Sequence, residues 1–223
     1  MPTAFIAGAS GLIGRSLLDQ LLAAPEYDRV VSLGRRVMPD VAHPKLQQVT
    51  VDFAALAGAL DGLDCDDAFC CLGTTIRRAG SREAFRAVDH AAVLAFAWAA
   101  RRQGARRFFV VTALGADPAS RIFYNRVKGE TEAALQVLDF ETLAIFQPSL
   151  LLGPRRETRW GERVMKPVLW LAEPLLLGRL RKYRAIEAEV VARAMMRCSF
   201  GRGGQGLLVF PSDEIQDLGA FGG

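Results

Sequence analysis

Tyr124 and Lys128 stand four positions apart in Tyr124-Asn125-Arg126-Val127-Lys128. On a helix that spacing puts a phenol and an ammonium on one face. A free phenol has a pKa of about 10, too high to exchange protons readily near neutrality. A neighbouring cation favours the phenolate and lowers that value. The pair is a candidate proton donor with its tuning cation. The chain holds 3 tyrosines, and only Lys45, Lys128, Lys166 and Lys182 among its 28 basic residues are lysines, so this spacing is informative. Thr112 ends a strand-like run twelve positions earlier. Its hydroxyl is the candidate for bonding the substrate oxygen that Tyr124 protonates.

A second constellation is Gly8-Ala9-Ser10-Gly11-Leu12-Ile13-Gly14, with GxxGxxG spacing. Such glycines allow a tight turn, backbone approach to a pyrophosphate and close helix–strand packing. The helix that follows offers free N–H groups and its positive dipole end to phosphate. The loop therefore predicts a dinucleotide site. The end of the next strand selects the dinucleotide. An NAD-selective site places an acid there for the ribose hydroxyls, whereas this chain has Gly34-Arg35-Arg36. A guanidinium suits a 2′-phosphate in charge and geometry, so NADP(H) is the expected cofactor. Asp52-Phe53, after the third strand, is placed to meet the adenine.

The elements that must position these residues alternate along the chain. Thr3–Ala7, Arg29–Leu33, Leu46–Val51, Ala68–Leu72, Arg107–Thr112 and Thr142–Phe146 read as short buried strands. Ile13, Leu17, Leu18, Leu21 and Leu22 repeat at helical spacing before Pro25. Ser81 can cap a long Ala-rich helix that Gly104 ends, and a further helix covers 123–138. Continuous apolar strands separated by helices predict an α/β fold with a doubly wound parallel sheet, the Rossmann arrangement. The region from Ser149 onward is Arg-rich, then helical, and ends in a strand over Leu207–Phe210. It reads as a small C-terminal substrate cap, mostly from residues 149–205, on a single domain of 223 residues.

Composition narrows the class. Hydrophobic residues are 51% and charged residues 23%, which excludes a disordered chain. Cys65, Cys70, Cys71 and Cys198 form no disulfide framework and read as free thiols. With no CxxC or HExxH and only His43 and His90, no metal site is expected. The N-terminus has no basic n-region, and the longest apolar stretch falls short of the ~20 residues of a membrane span. These features predict a cytoplasmic chain. Arginine pairs at 77–78, 101–102 and 106–107 are scattered, so no nucleic-acid partner is expected.

Together these segments resemble the short-chain dehydrogenase/reductase superfamily, and within it the atypical members of the HIV Tat-interactive oxidoreductase-like family. GASGLIG, LGRR, VDF, CLGTT, GAD, YNRVKGE, QPSLLLGPR and the terminal IQDLG carry the resemblance along nearly the whole chain. It implies one Rossmann domain binding NADPH and a catalytic set of Thr112, Tyr124 and Lys128. It also implies that Leu72, Gly73 and Thr74 line the nicotinamide side and that Pro148 follows the sixth strand at the cofactor. Relatives often have a serine pair in place of Thr112-Ala113 and an arginine in place of Gln147.

The expected activity is NADPH-dependent reduction of a small carbonyl compound, with Tyr124 as proton donor and Lys128 holding the ribose. The alternative is a non-catalytic NADPH-binding regulator or scaffold. Only 75 residues follow Pro148, too few for the usual sugar-binding domain of an epimerase. Arg155, Arg156 and Arg159 could draw an anionic substrate. Val164–Leu180 reads as a substrate lid in preference to a membrane-docking helix. The chain is expected to be a monomer or a homodimer, with Phe96 and Trp98 as contact or core residues.

Overall fold

The computed structural model describes residues 2–56, 58–153, 178–202 and 204–220. Strand β1 (Thr3–Ala7) is buried at every position, as a strand covered on both faces must be. Helix α1 (Leu12–Ala23) follows the glycine loop, and β2 (Arg29–Gly34) and β3 (Leu46–Thr50) extend the sheet on one side. The chain then crosses β1 to form β4 (Asp67–Cys70), β5 (Arg107–Val111) and β6 (Thr142–Gln147) on the other. The order is β3-β2-β1-β4-β5-β6-β9, where β9 is Gly206–Pro211, and every pairing is parallel. The order reverses between β1 and β4, which makes their carboxyl ends the crevice where such sheets take ligands.

Alternate side chains of the strands feed two cores. Ile6, Phe69, Phe109 and Phe146 pack beneath α1 and α6 (Ala188–Arg197). Phe5, Ala68, Phe108 and Ile145 pack beneath α4 (Ala92–Arg102) and α5 (Phe123–Gln136). The stacked pair Phe69–Phe109, 4.8 Å between ring centres, ties β4 to β5. Phe96 is core, whereas Trp98 is exposed on α4. At the amino ends of the strands, Arg107 holds buried Asp67 through Nε and Nη2, both at 2.6 Å, and Tyr27 donates its hydroxyl to the same carboxylate.

Ser81 caps a helix as its position predicts, accepting from the Ala84 N–H at 3.0 Å. The helical path to Arg102 is nevertheless broken. Helix α3 (Arg82–Arg86) passes through a π-helical turn, Ala87–Ala91, before α4 begins. A short α2 (Ile76–Ala79) precedes it. The C-terminal region joins the sheet: α6 covers the α1 face, β9 pairs with β6, and α7 (Ser212–Ala220) packs on α6. Leu151–Leu152 (β7) and Ile186–Glu187 (β8) form a separate two-stranded parallel pair. Residues Arg155, Arg156 and Arg159, and nearly all of Val164–Leu180, lie outside the described residues. No helix among those described is long and apolar enough to cross a membrane.

Candidate functional site: a glycine cradle beside a buried lysine

The glycine loop closes with Gly11 N–H donating to Gly8 C=O at 2.9 Å. Gly8 has φ +85°, and a Cβ there would stand 2.5 Å from the Cys71 carbonyl oxygen. A Cβ on Gly14 would stand 2.1 Å from the Gly8 oxygen. Both positions are therefore closed to any side chain, and β1, α1 and the end of β4 meet at backbone distance. The N-cap of α1 is Gly11, which has no side chain to satisfy the first N–H groups. Those groups remain for an anion. Ser10 and Gly11 are exposed at the mouth, whereas Ile13 is core and offers only its backbone. Gly153 approaches from the far side of the crevice, where a Cβ would stand 2.8 Å from Leu12 Cδ1. These features fit a dinucleotide pyrophosphate.

Arg35 and Arg36 are exposed immediately past β2. The loop that carries them is held by Gln48, whose amide bonds Met38 N–H at 2.7 Å and Met38 C=O at 3.0 Å. Asp52 has a local role: its carboxylate accepts from the Ala54 N–H at 2.9 Å and caps a 3₁₀ turn, Phe53–Ala55. Phe53 is buried in the core next to it. Asp52 is exposed, so the cap leaves its other carboxylate oxygen facing solvent beside the end of β3.

Beyond β4, Leu72, Gly73 and Thr74 run past the glycine loop toward α5. Lys128 Nζ lies 2.7 Å from Asp89 Oδ1, and both side chains are buried. Asp89 Oδ2 accepts from the Thr74 N–H at 2.9 Å. A Cβ on Gly73 would stand 3.5 Å from Asp89 Oδ1 and 3.9 Å from Lys128 Nζ, so this glycine leaves a path to the ammonium. The carboxylate comes from the π-helical turn, a distortion that often marks functional positions. The turn is fixed by Thr131, which donates to Asp89 C=O at 3.0 Å and contacts His90 Nδ1 at 3.0 Å. Tyr124 packs against Phe85, 5.4 Å between ring centres. Burial pulls the Lys128 ammonium down, but Asp89 and Tyr124 outweigh it and the net direction is upward. Burial pushes the neighbouring Cys70 thiol up to about 12, so it stays protonated and inert.

Thr112 does not join this group. It is buried, and its hydroxyl shares a hydrogen bond with Glu132 Oε1 at 2.5 Å. Glu132 follows Tyr124 by eight residues, about 12 Å along the helix axis. The hydroxyl is therefore engaged by a residue whose backbone lies two turns along α5 from Tyr124. The reason is strand alternation: Phe108, Val110 and Thr112 share the face that α5 covers. The loop after Thr112 borders Tyr124 instead. Leu114 N–H donates to Pro148 C=O at 3.0 Å, and Asp117 N–H to Asn125 C=O at 3.0 Å. Asp89 and Glu132 were both absent from the sequence-based site. Glu132 continues the four-residue spacing of Tyr124 and Lys128, which could have revealed it. Asp89 is an acid within an apolar helical stretch, a weaker cue.

The profile of the family described as NAD(P)H-binding matches residues 8–139. Protein HTATIP2 of Rattus norvegicus is 35% identical over 223 residues, covering 96% of this chain and 88% of that protein. The mitochondrial protein fmp52 of Aspergillus clavatus is 30% identical over 200 residues, covering 87% and 85%. Among solved structures, MoeE5 in complex with UDP-glucose and NAD aligns with TM-score 0.68 at 17% identity, covering 98% of this chain and 81% of that one. Human epimerase family protein SDR39U1 with NADPH aligns with TM-score 0.63 at 17% identity, covering 94% and 74%. These structural likenesses show the Rossmann-like fold. The cytoplasmic assignment is corrected by the sequence relatives, since the fmp52 proteins are mitochondrial.

Proposed function

We propose that this chain, which belongs to the NAD(P)H-binding family, is an NADPH-dependent reductase of a small carbonyl compound. The observation that carries the reading is the meeting of two independent parts at one crevice. The glycine cradle of β1–α1 touches the end of β4, and the same β4 extension leads through Gly73 and Thr74 to Asp89 and Lys128. Gly8, Ser10, Gly11, Leu12, Ile13 and Gly14 would hold the pyrophosphate, with Leu72, Gly73, Thr74 and Pro148 along the nicotinamide side. When bound, the reduced nicotinamide supplies a hydride to the carbonyl carbon. Tyr124 delivers the proton to the carbonyl oxygen, so one hydride and one proton make the alcohol. Lys128 holds the nicotinamide ribose and, through its charge, eases loss of the Tyr124 proton. Asp89 fixes the ammonium on that line and fastens the Thr74 backbone beside it. Thr112 supports α5 from beneath and is not assigned to the substrate oxygen.

The exposed guanidinium groups of Arg35 and Arg36, with no acid at the end of β2, support a 2′-phosphate and hence NADPH. The test is titration with NADPH and NADH of the wild type and of Arg35→Ala/Arg36→Ala. The expected result is an NADPH preference that collapses in the double variant. Binding of neither nucleotide would refute the reading. Tight NADPH binding without reduction of any carbonyl compound in a broad screen would favour a cofactor-binding regulator.

A further inference from the structure

The buried face of α5 carries a charge count that does not balance. Lys128 is joined to Asp89 at 2.7 Å. Glu132, one turn further along, is 9% exposed and, among the described residues, touches no cation. Its carboxyl meets the Thr112 hydroxyl from the end of β5 at 2.5 Å. From β6 it meets Gln147 Nε2 at 3.1 Å on Oε1 and 3.0 Å on Oε2. Among the described residues one ammonium thus serves two buried carboxyl groups, and Asp89 has the contact. A buried carboxylate bound only by neutral groups carries a desolvation cost that a proton removes.

The hydrogen bonds accommodate a neutral acid without loss. Gln147 Nε2 donates to Oε2. The acid O–H on Oε1 donates to Thr112 Oγ1. The Thr112 hydroxyl then turns to the Phe146 carbonyl, 3.5 Å away. Each of these polar atoms keeps a partner.

We infer that Glu132 is a positioning residue of this site, a neutral carboxylic acid that locks α5 to β5 and β6 and leaves Asp89 as the single countercharge of Lys128. The inference rests on the reading of Tyr124 and Lys128 as the proton-delivering pair. Burial pushes the Glu132 carboxyl up, and the bonds from Thr112 and Gln147, with the Lys128 charge, offset only part of that rise. Among the described residues, the groups that face it come from every element packed against it. Thr112 comes from β5 and Gln147 from β6, and Lys128 lies on its own helix. Asp89 and His90 lie on the π-helical turn, and Cys70 at the end of β4 is protonated. The role explains why α5, which carries Tyr124 and Lys128, is tied to the sheet through a polar contact in an apolar layer.

Two arms test this on the full chain. The first is infrared difference spectroscopy at neutral pH, wild type minus Glu132→Gln. A carbonyl band of a protonated carboxylic acid is expected, and Gln147→Arg should abolish it by giving Glu132 a cation. Carboxylate bands alone in the wild type would overturn the inference. The second arm is turnover. Glu132→Leu is expected to lower kcat on the order of 10- to 100-fold through misplacement of α5, with NADPH affinity far less affected. Glu132→Gln should recover most of that loss, because its amide can donate to Thr112 and accept from Gln147. A Gln variant as impaired as the Leu variant, or a Leu variant at the wild-type rate, would overturn it. If the wild type reduces no carbonyl compound, the functional reading fails, while the infrared arm still decides the state of Glu132.

Discussion

Asp89→Ala is expected to destabilise the chain severely, and the size of the effect follows from burial. The Asp89 side chain is 0% exposed and that of Lys128 5%, at 2.7 Å. Breaking such a pair from one side costs about 3–5 kcal/mol, because the remaining charge keeps its desolvation cost without a partner. The Thr74 N–H also loses its acceptor, for about 1 kcal/mol more. At 2–4 °C per kcal/mol for a chain of this size, Tm should fall by roughly 10–20 °C. The pH dependence has a definite sign. The folded Lys128 ammonium lies above its unfolded value of about 10.4. The native state therefore binds that proton more tightly. The stabilisation is complete below about pH 10.4 and is lost as pH rises through the folded value. Calorimetric melts of wild type and variant should show the gap widest at low pH and narrowing as pH rises, because the unpaired buried ammonium of the variant sheds its proton more readily than that of the wild type. Asp89→Ala/Lys128→Met should be more stable than Asp89→Ala alone, since no buried charge is left unpaired. A single variant melting within about 2 °C of wild type at neutral pH would refute the reasoning.

Further outcomes follow from the same geometry. Gly14→Ala places a Cβ 2.1 Å from the Gly8 oxygen and should abolish NADPH binding, read by fluorescence titration, while lowering Tm. Tyr124→Phe removes the proposed proton donor, and kcat should drop at least about 100-fold with NADPH affinity preserved. Tyr27→Phe takes one donor from buried Asp67 at the far end of the sheet. It should cost about 1–2 kcal/mol of stability by denaturant titration and leave nucleotide binding unchanged.

Much of this protein is decided by short-range patterns. The six predicted strands before Pro148 and the glycine loop are local in sequence, because a strand covered on both faces needs a continuous apolar run. The seventh strand, β9, was visible in the same way at Leu207–Phe210. The Tyr124–Lys128 pair needs only one helical turn, so the residue spacing alone sets its shared face. Other features depend on which faces meet after folding. Thr112 was expected at the substrate oxygen, yet strand alternation turns it beneath α5, onto a carboxyl 20 residues away. Asp52 and Phe53 are expected at the adenine, and the structure adds a local cap and core packing at the same two positions. Asp89 finds Lys128 only because the π-helical turn and α5 lie side by side over β4 and β5. Glu132 acquires its neutral surroundings from two strands at once. Periodicity determines which element a residue belongs to. A buried charge finds its partner, or keeps its proton, through contacts between elements distant in the chain, and only the tertiary structure brings those together.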